Sequence, residues 1–233
     1  MRLTSGQPKG SAEVERSLYG QFARVAMAFA SPVRVALVEV LCQGERSVSS
    51  LAQEVGAGLK NTSAQLRELQ LAGLVAPRRN GRNVYYRLAD EDVCHFLAAL
   101  RDLTRHRLPE VDSLIRQHFE VLPEMEPMPR EVLLARLRTG SVLVLDVRPR
   151  EEYLAGHIPQ ARSVPLAELE SFLATLTPEV EIVAYCRGPY CVLAPQAVEA
   201  CRLRGLTARR LDGGLPEWRL AGLPVTVGTE EAA

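Results

Sequence analysis

The chain is poor in several residue types that usually announce a protein class. Of 233 residues, five are cysteine, one is tryptophan and 5% are aromatic, and Lys9 and Lys60 are the only lysines. No apolar run approaches the ~20 residues needed to span a bilayer, so a membrane-spanning helix and a membrane partner are not expected. The N-terminal stretch "MRLTSGQPKGSAEVERS" lacks the apolar centre of a secretory signal. A cytoplasmic location is therefore expected, where thiols stay reduced and structural disulfides are rare. No sign of charge dominates either: 28 Lys/Arg balance 28 Asp/Glu. Residues 1–122 hold 16 basic against 13 acidic side chains and residues 123–233 hold 12 against 15. That asymmetry is too mild to indicate a nucleic-acid partner by itself.

What the chain does have is enough apolar residue, 47%, for one large core or two modest ones. The acidic, proline-rich stretch "VLPEMEPMPREV" (residues 121–132) breaks any helix and reads as a semi-extended linker. Before it the pattern is helical; after it, apolar strands alternate with helices. Two domains are expected, 1–122 and 131–233, joined by a linker at 123–130.

In the first half, Val14, Leu18, Phe22, Val25 and Phe29 recur at helical spacing. Ser31 and Pro32 then make a helix start for "VRVALVEVLCQG". "SVSSLAQEVG" is a short helix capped by Ser47 or Ser49. The next helix, in "KNTSAQLRELQLAGLV", turns Leu66, Leu69 and Leu71 inward and stops at Gly73. Two short helices joined by a Gly-containing turn give a helix-turn-helix. "LVAPRRNGRNVYYRLA" follows as a hairpin around Asn80-Gly81, with Arg78, Arg79 and Arg82 near its tip. A last helix places Val93, Phe96, Leu97, Leu100 and Leu103 on one face. Pro109 kinks or restarts it, leaving Val111, Leu114 and Ile115 as a second stripe.

From Phe29 to Cys94 this order and spacing resembles the winged-helix repressors of the ArsR/SmtB family. The resemblance implies a homodimer on a double-stranded DNA operator, with the first and last helices forming the dimer interface. Lys60, Asn61, Ser63 and Gln65 at the start of the recognition helix would face base edges or phosphates in the major groove. Arg78, Arg79 and Arg82 on the wing would contact the backbone or minor groove, the alternative being a merely solvated hairpin tip. Metal sensing in this family uses ligands that are incomplete here. "ERSVSSLAQ" has no cysteine, and the last-helix positions read Asp90, Asp92, Leu103 and His106, one of them apolar. No cofactor is implied. Cys42 and Cys94 are either small buried hydrophobes or a redox pair like that of persulfide-responsive members, although Cys94 falls at the start of the last helix.

The second half opens on the fully apolar strand Val142 to Val147, as in a parallel sheet buried on both faces. "SVPL", "EIVAYC" and "TARRLDG" supply further short strands of a small α/β domain. "LDVRPREEYLAGHIPQA", the strand ending in Cys186, and "LDGGLPEWRLAGLPV" together resemble a rhodanese over residues 130–227. The resemblance implies that Cys186 attacks a sulfane-sulfur donor and holds a persulfide that an acceptor thiol then removes. Lying between a strand and a helix, its sulfur would face backbone N–H groups that favour thiolate, with Arg187 adding charge nearby. Asp146, Arg148 and His157 match the framework and read as orienting groups. The loop "CRGPYC" departs from the usual pattern. Its glycine comes early, at Gly188, followed by Pro189 and Tyr190, and its fifth position is a second thiol, Cys191. Gly188 and Tyr190 would help form an anion cradle. If both thiols face it, Cys191 could attack a persulfide on Cys186. Cys201 reads as packing.

Three functions remain open at this point. One is a DNA-binding regulator whose rhodanese domain senses or delivers reactive sulfur. Another is an ordinary sulfurtransferase fused to an independent, metal-responsive repressor. The last is an arsenate reductase-like module, because longer loops in this fold hold oxyanions.

Overall fold

The computed structural model describes residues 11–118, 127–176 and 180–228. Residues 123–126 of the linker expected at 123–130 lie outside the described residues, while Met128 bridges to Leu211 and Arg130 already opens a helix. Contacts divide the chain into two units, one of residues 1–38 and 46–90, the other of residues 39–45 and 91–233.

The first unit begins with α1 (Ser11–Ala28) and the first turns of α2 (Pro32–Leu41), whose opening residue is the proline expected there. Arg34 ties the two together, donating from Nε to Ala28 O at 2.6 Å and from Nη2 to Met27 O at 2.9 Å. β1 (Arg46–Ser47) leads into α3 (Val48–Glu54). Ser47 is the N-cap, its hydroxyl accepting from Ser50 N at 3.2 Å, an arrangement worth about 1 kcal/mol. α4 (Leu59–Leu71) buries Thr62, Leu66 and Leu69. Leu71, expected inward, is 58% exposed, because two residues past Leu69 the helix has turned by about 200°.

β2 (Val75–Asn80) and β3 (Asn83–Leu88) form the wing, with β1 on the far edge of an antiparallel sheet ordered β1-β3-β2. Asn80 pairs with Asn83, so the two-residue turn is Gly81-Arg82 rather than Asn80-Gly81. Gly81 takes the left-handed φ of 58° that this turn needs at its first position.

The second unit contains α5 (Asp92–Arg107) and α6 (Pro109–His118), so Pro109 does restart the helix. Val93, Cys94 and Leu97 are buried on α5, whereas Phe96 and Leu103 are exposed. From residue 127 onward the chain builds an α/β layer around a parallel sheet ordered β5-β4-β6-β7. Its strands are β4 (Val142–Asp146), β5 (Arg162–Ser163), β6 (Glu181–Tyr185) and β7 (Ala208–Arg210). The helices are α7 (Arg130–Thr139), α8 (Arg150–Ala155), α9 (Leu169–Leu173), α10 (Leu193–Leu203) and α11 (Leu215–Leu220).

Strand period decides which face each side chain takes. Leu145, Ile182, Ala184 and Cys186 share one core with α9 and α10. Val144, Val183 and Tyr185 share the other with α7 and with Trp218 of α11. Both faces are covered, as the unbroken apolar strands required. Among the described residues, no helix is long and apolar enough to cross a membrane.

Candidate active-site loop and nucleic-acid interface

The loop Cys186–Val192 joins the C-terminal end of β6 to the N-terminus of α10, where backbone N–H groups have no helical partner. Cys186 is 1% exposed and Cys191 is half-buried; neither is disulfide-bonded. The Cys191 N–H closes a turn on Gly188 O at 3.2 Å. Cys186 Sγ lies 3.7 Å from Cys191 O and 3.9 Å from Gly188 O. Backbone groups of Gly188 and Ala194 favour the charged form of Cys186, and those of Leu193 and Arg187 favour that of Cys191.

The two neighbouring thiols shift each other's titration in opposite directions. The Cys186 S–H donates to Cys191 and pulls its pKa down to about 6, against the cost of burial. Burial, followed by the neighbouring Cys191 charge, pushes Cys186 well above the ordinary thiol range. The neighbouring Cys186 thus favours the charged form at Cys191.

Arg187 adds positive charge near the loop, which helps lower the Cys191 pKa. Its guanidinium grips Glu152 of α8, Nε to Oε1 at 2.9 Å and Nη2 to Oε1 at 2.6 Å, and Glu152 is 1% exposed. Beneath the loop, Asp146 and Arg148 form an ion pair with neither side chain exposed. Burial disfavours the Arg148 charge, but Asp146 outweighs it and the pKa rises. Tyr185 donates to Asp146 Oδ2 at 2.5 Å and accepts from Ile158 N at 3.1 Å. His157 stacks on Tyr153 with ring centroids 3.7 Å apart and lies 2.9 Å from Tyr153 O through Nδ1. These groups position the sheet edge and do not reach the sulfurs' hydrogen bonds.

Several contributors escaped the sequence reading. Gln43, fully buried, accepts from Arg148 Nη1 at 3.0 Å and donates to Arg187 O at 3.1 Å, so it holds the loop backbone. Arg101 lies over the Tyr190 ring at 5.7 Å and pairs with Glu39 and with Glu217, the latter at 3.6 Å. Glu217, its pKa raised by burial, accepts from Gly214 N at 2.9 Å. Gly214 itself packs on the loop, and Leu215 N donates to Cys186 O at 3.2 Å. A glutamine after a helix or a lone glutamate in "LPEWRL" carries no sequence pattern that would single it out.

Cys42 and Cys94 are joined by a disulfide with Cα atoms 6.0 Å apart, both side chains buried. The position of Cys94 at the start of α5 therefore suits the pairing. Cys201, fully buried in α10, is pushed up to about 11 by burial and packs in the core as expected. Among the described residues, no group of three or more His, Cys, Asp or Glu side chains is placed to hold a metal ion. His106 instead lies 2.7 Å from Asp102 O through Nδ1.

On the first unit, Lys60, Asn61 and Ser63 are exposed along the start of α4, and Arg78, Arg79 and Arg82 are exposed on the wing. Arg78 lies over the Tyr85 ring at 5.2 Å. Gln65 differs: it is half-buried, accepts from Arg34 Nη1 at 2.8 Å and donates to Asn61 Oδ1 at 3.2 Å. Both ends of its amide are occupied, so it positions Asn61 instead of presenting a vacant amide to a groove.

A helix-turn-helix with a hairpin wing, ahead of a parallel-sheet domain whose cysteine loop follows a central strand, defines a regulator carrying a rhodanese-like domain. Residues 31–76 match the model of the bacterial regulatory protein, arsR family, and residues 130–221 match that of the rhodanese-like domain. The chain is 44% identical over 219 residues, 94% of its length and 96% of the relative's, to the HTH-type transcriptional regulator Rv0324 of Mycobacterium tuberculosis. It belongs to this family of ArsR-type transcriptional regulators with a rhodanese domain. A biofilm growth-associated repressor of Xylella fastidiosa is 36% identical over 80 residues, 34% of this chain and 70% of the repressor. Among solved structures, the homodimeric winged helix-turn-helix DNA-binding domain of Mb0332 from Mycobacterium bovis is 37% identical, with a TM-score of 0.39 over 45% of this chain and 94% of that one.

Proposed function

We propose that this regulator binds a double-stranded operator as a homodimer and that its rhodanese domain, through a persulfide on Cys186, couples reactive sulfur to transcription in the cytoplasm. Residues 1–122 would serve DNA binding and dimerisation, and residues 131–233 the sulfur chemistry. The observation that carries this reading is the thiol pair itself, held on one tight turn between β6 and the N-terminus of α10. Such a site stabilises a thiolate, a persulfide anion or the oxyanion of a departing sulfite.

With thiosulfate as donor, the Cys186 thiolate attacks the outer sulfur, the donor S–S bond breaks and sulfite leaves. A small acceptor thiol then takes the outer sulfur and restores Cys186. Arg187 and Glu152 hold the loop, while Gly188 and Tyr190 line it. On the first unit, Val14, Leu18, Tyr19 and Phe22 of α1 are each at least half exposed, an apolar stripe suited to a second copy. Cys42 and Cys94 supply a disulfide that, in a reducing compartment, reports oxidants or persulfides.

Operator affinity measured with the reduced full chain against glutathione persulfide, thiosulfate, arsenicals and divalent metals tests the reading. A loss of affinity with the sulfur species, abolished by Cys186→Ser, is expected. Unchanged affinity with sulfur species, or a response to arsenicals or metals instead, would overturn it.

A further inference from the structure

We propose that the loop is a two-thiol device in which Cys191 first accepts the proton of Cys186 and then displaces hydrosulfide from the Cys186 persulfide, closing a Cys186–Cys191 disulfide. The inference rests on the persulfide reading above and says how that persulfide ends.

Geometry supports the order of events. The turn sets the buried Cys186 beside the half-buried Cys191, its sulfur 3.7 Å from the Cys191 carbonyl oxygen, so a proton has only a short distance to travel between the two residues. Chain curvature brings Cys191 O within 3.7 Å of Cys186 Sγ, and the turn closed by Cys191 N and Gly188 O holds it there. When a persulfide forms on Cys186, its inner sulfur is the atom that lies against the Cys191 backbone. An outside thiol must reach a sulfur that is 1% exposed, whereas Cys191 is in place, an advantage of position that favours the intramolecular step. The other cysteines are less accessible: Cys42, Cys94 and Cys201 are all buried, whereas Cys191 is half-buried. The low pKa of Cys191, about 6, keeps it available as thiolate at neutral pH.

The steps balance. Cys186 gives its proton to the Cys191 thiolate and attacks the outer sulfur of glutathione persulfide; the donor S–S bond breaks and glutathione thiolate leaves, taking up the proton from Cys191. The Cys191 thiolate then attacks Cys186 Sγ. A Cys186–Cys191 bond forms, the bond to the outer sulfur breaks, and hydrosulfide departs. Two thiols are oxidised to one disulfide and one sulfane sulfur is reduced to hydrosulfide. A transient persulfide thereby becomes a lasting change in the loop that Gln43 and Gly214 grip.

The test uses the reduced full-length chain and limiting glutathione persulfide. Trypsin cuts after Arg187, between the two cysteines, and leaves Cys191 and Cys201 together in peptide 188–202, so non-reducing peptide mapping with fragmentation of that peptide reports which cysteine is bonded to Cys186. In the unsubstituted chain we expect the Cys186 and Cys191 peptides to be linked, with near-stoichiometric release of hydrosulfide. In Cys191→Ser, and in Cys191→Ala as a second variant, Cys186 should retain one extra sulfur and hydrosulfide release should be lost. A persulfide that persists on Cys186 of the unsubstituted chain, or that moves to Cys191, would overturn this inference while leaving the persulfide reading intact. No added sulfur on Cys186 in any chain, and no linked peptide, would overturn both.

Discussion

Gly214 lies directly against the peptide that follows Cys186: a Cβ on residue 214 would come within 2.4 Å of Cys186 O and 2.4 Å of Gly188 N. Both are backbone atoms that cannot swing aside. The "LDGG" motif thus acts as a close-packed floor beneath the thiol loop.

Gly214→Ala should therefore displace the loop, at about 1–3 kcal/mol of overpacking. Thiosulfate:cyanide sulfurtransferase activity is the readout, and loss of activity with the domain still folded is expected. The single tryptophan, Trp218, is fully buried in this unit and reports its folding by fluorescence.

Asp146→Asn leaves the Arg148 guanidinium at zero exposure without its full counter-charge. Breaking a buried ion pair in this way costs about 3–5 kcal/mol. Urea unfolding followed by Trp218 emission should show the transition moving to lower denaturant by that amount.

The thiol pair makes a prediction about pH. Because the Cys186 S–H lowers the Cys191 pKa to about 6, Cys191 is thiolate above that value and gains its proton as pH falls through it. Iodoacetamide labelling of Cys191, mapped by peptide, should accordingly decline with an inflection near pH 6. In Cys186→Ala the donor is gone, so the inflection should move upward. An unmoved inflection would show that the Cys186 hydrogen bond is not the cause.

For the wing, replacing Arg78, Arg79 or Arg82 by alanine should weaken operator binding nearly uniformly across sequences. Each should reduce the salt-dependence slope by about 1, as expected for the loss of one phosphate contact. Fluorescence anisotropy across a salt series measures both.

The exposed stripe on α1 bears on assembly. Leu18→Glu with Phe22→Glu places two charges where a second copy would bury them, and sedimentation should show a monomer in place of a dimer. A dimer that survives would move the interface elsewhere.

How much was readable in advance differs between elements. The Ser47 cap, the Pro32 and Pro109 helix starts and the parallel strands are local, and each is set by propensity, capping or a continuous apolar run. The same holds for the HTH-wing order and the position of Cys186. What was misread involved residues whose role depends on partners far along the chain. Leu71 followed the apolar pattern but had rotated off the buried face, and Gln65 looked like a base reader until Arg34 occupied it.

By itself, then, the sequence determined two domains, their families and the loop that carries the thiols, because periodicity and motif order are properties of neighbouring residues. Only the tertiary structure decided that Cys42 meets Cys94 and that Arg187 is held by buried Glu152. It also placed Gln43 and Gly214 on the loop backbone. Burial and hydrogen-bond partners set charge, and both arise only when segments remote in sequence close around the same few atoms.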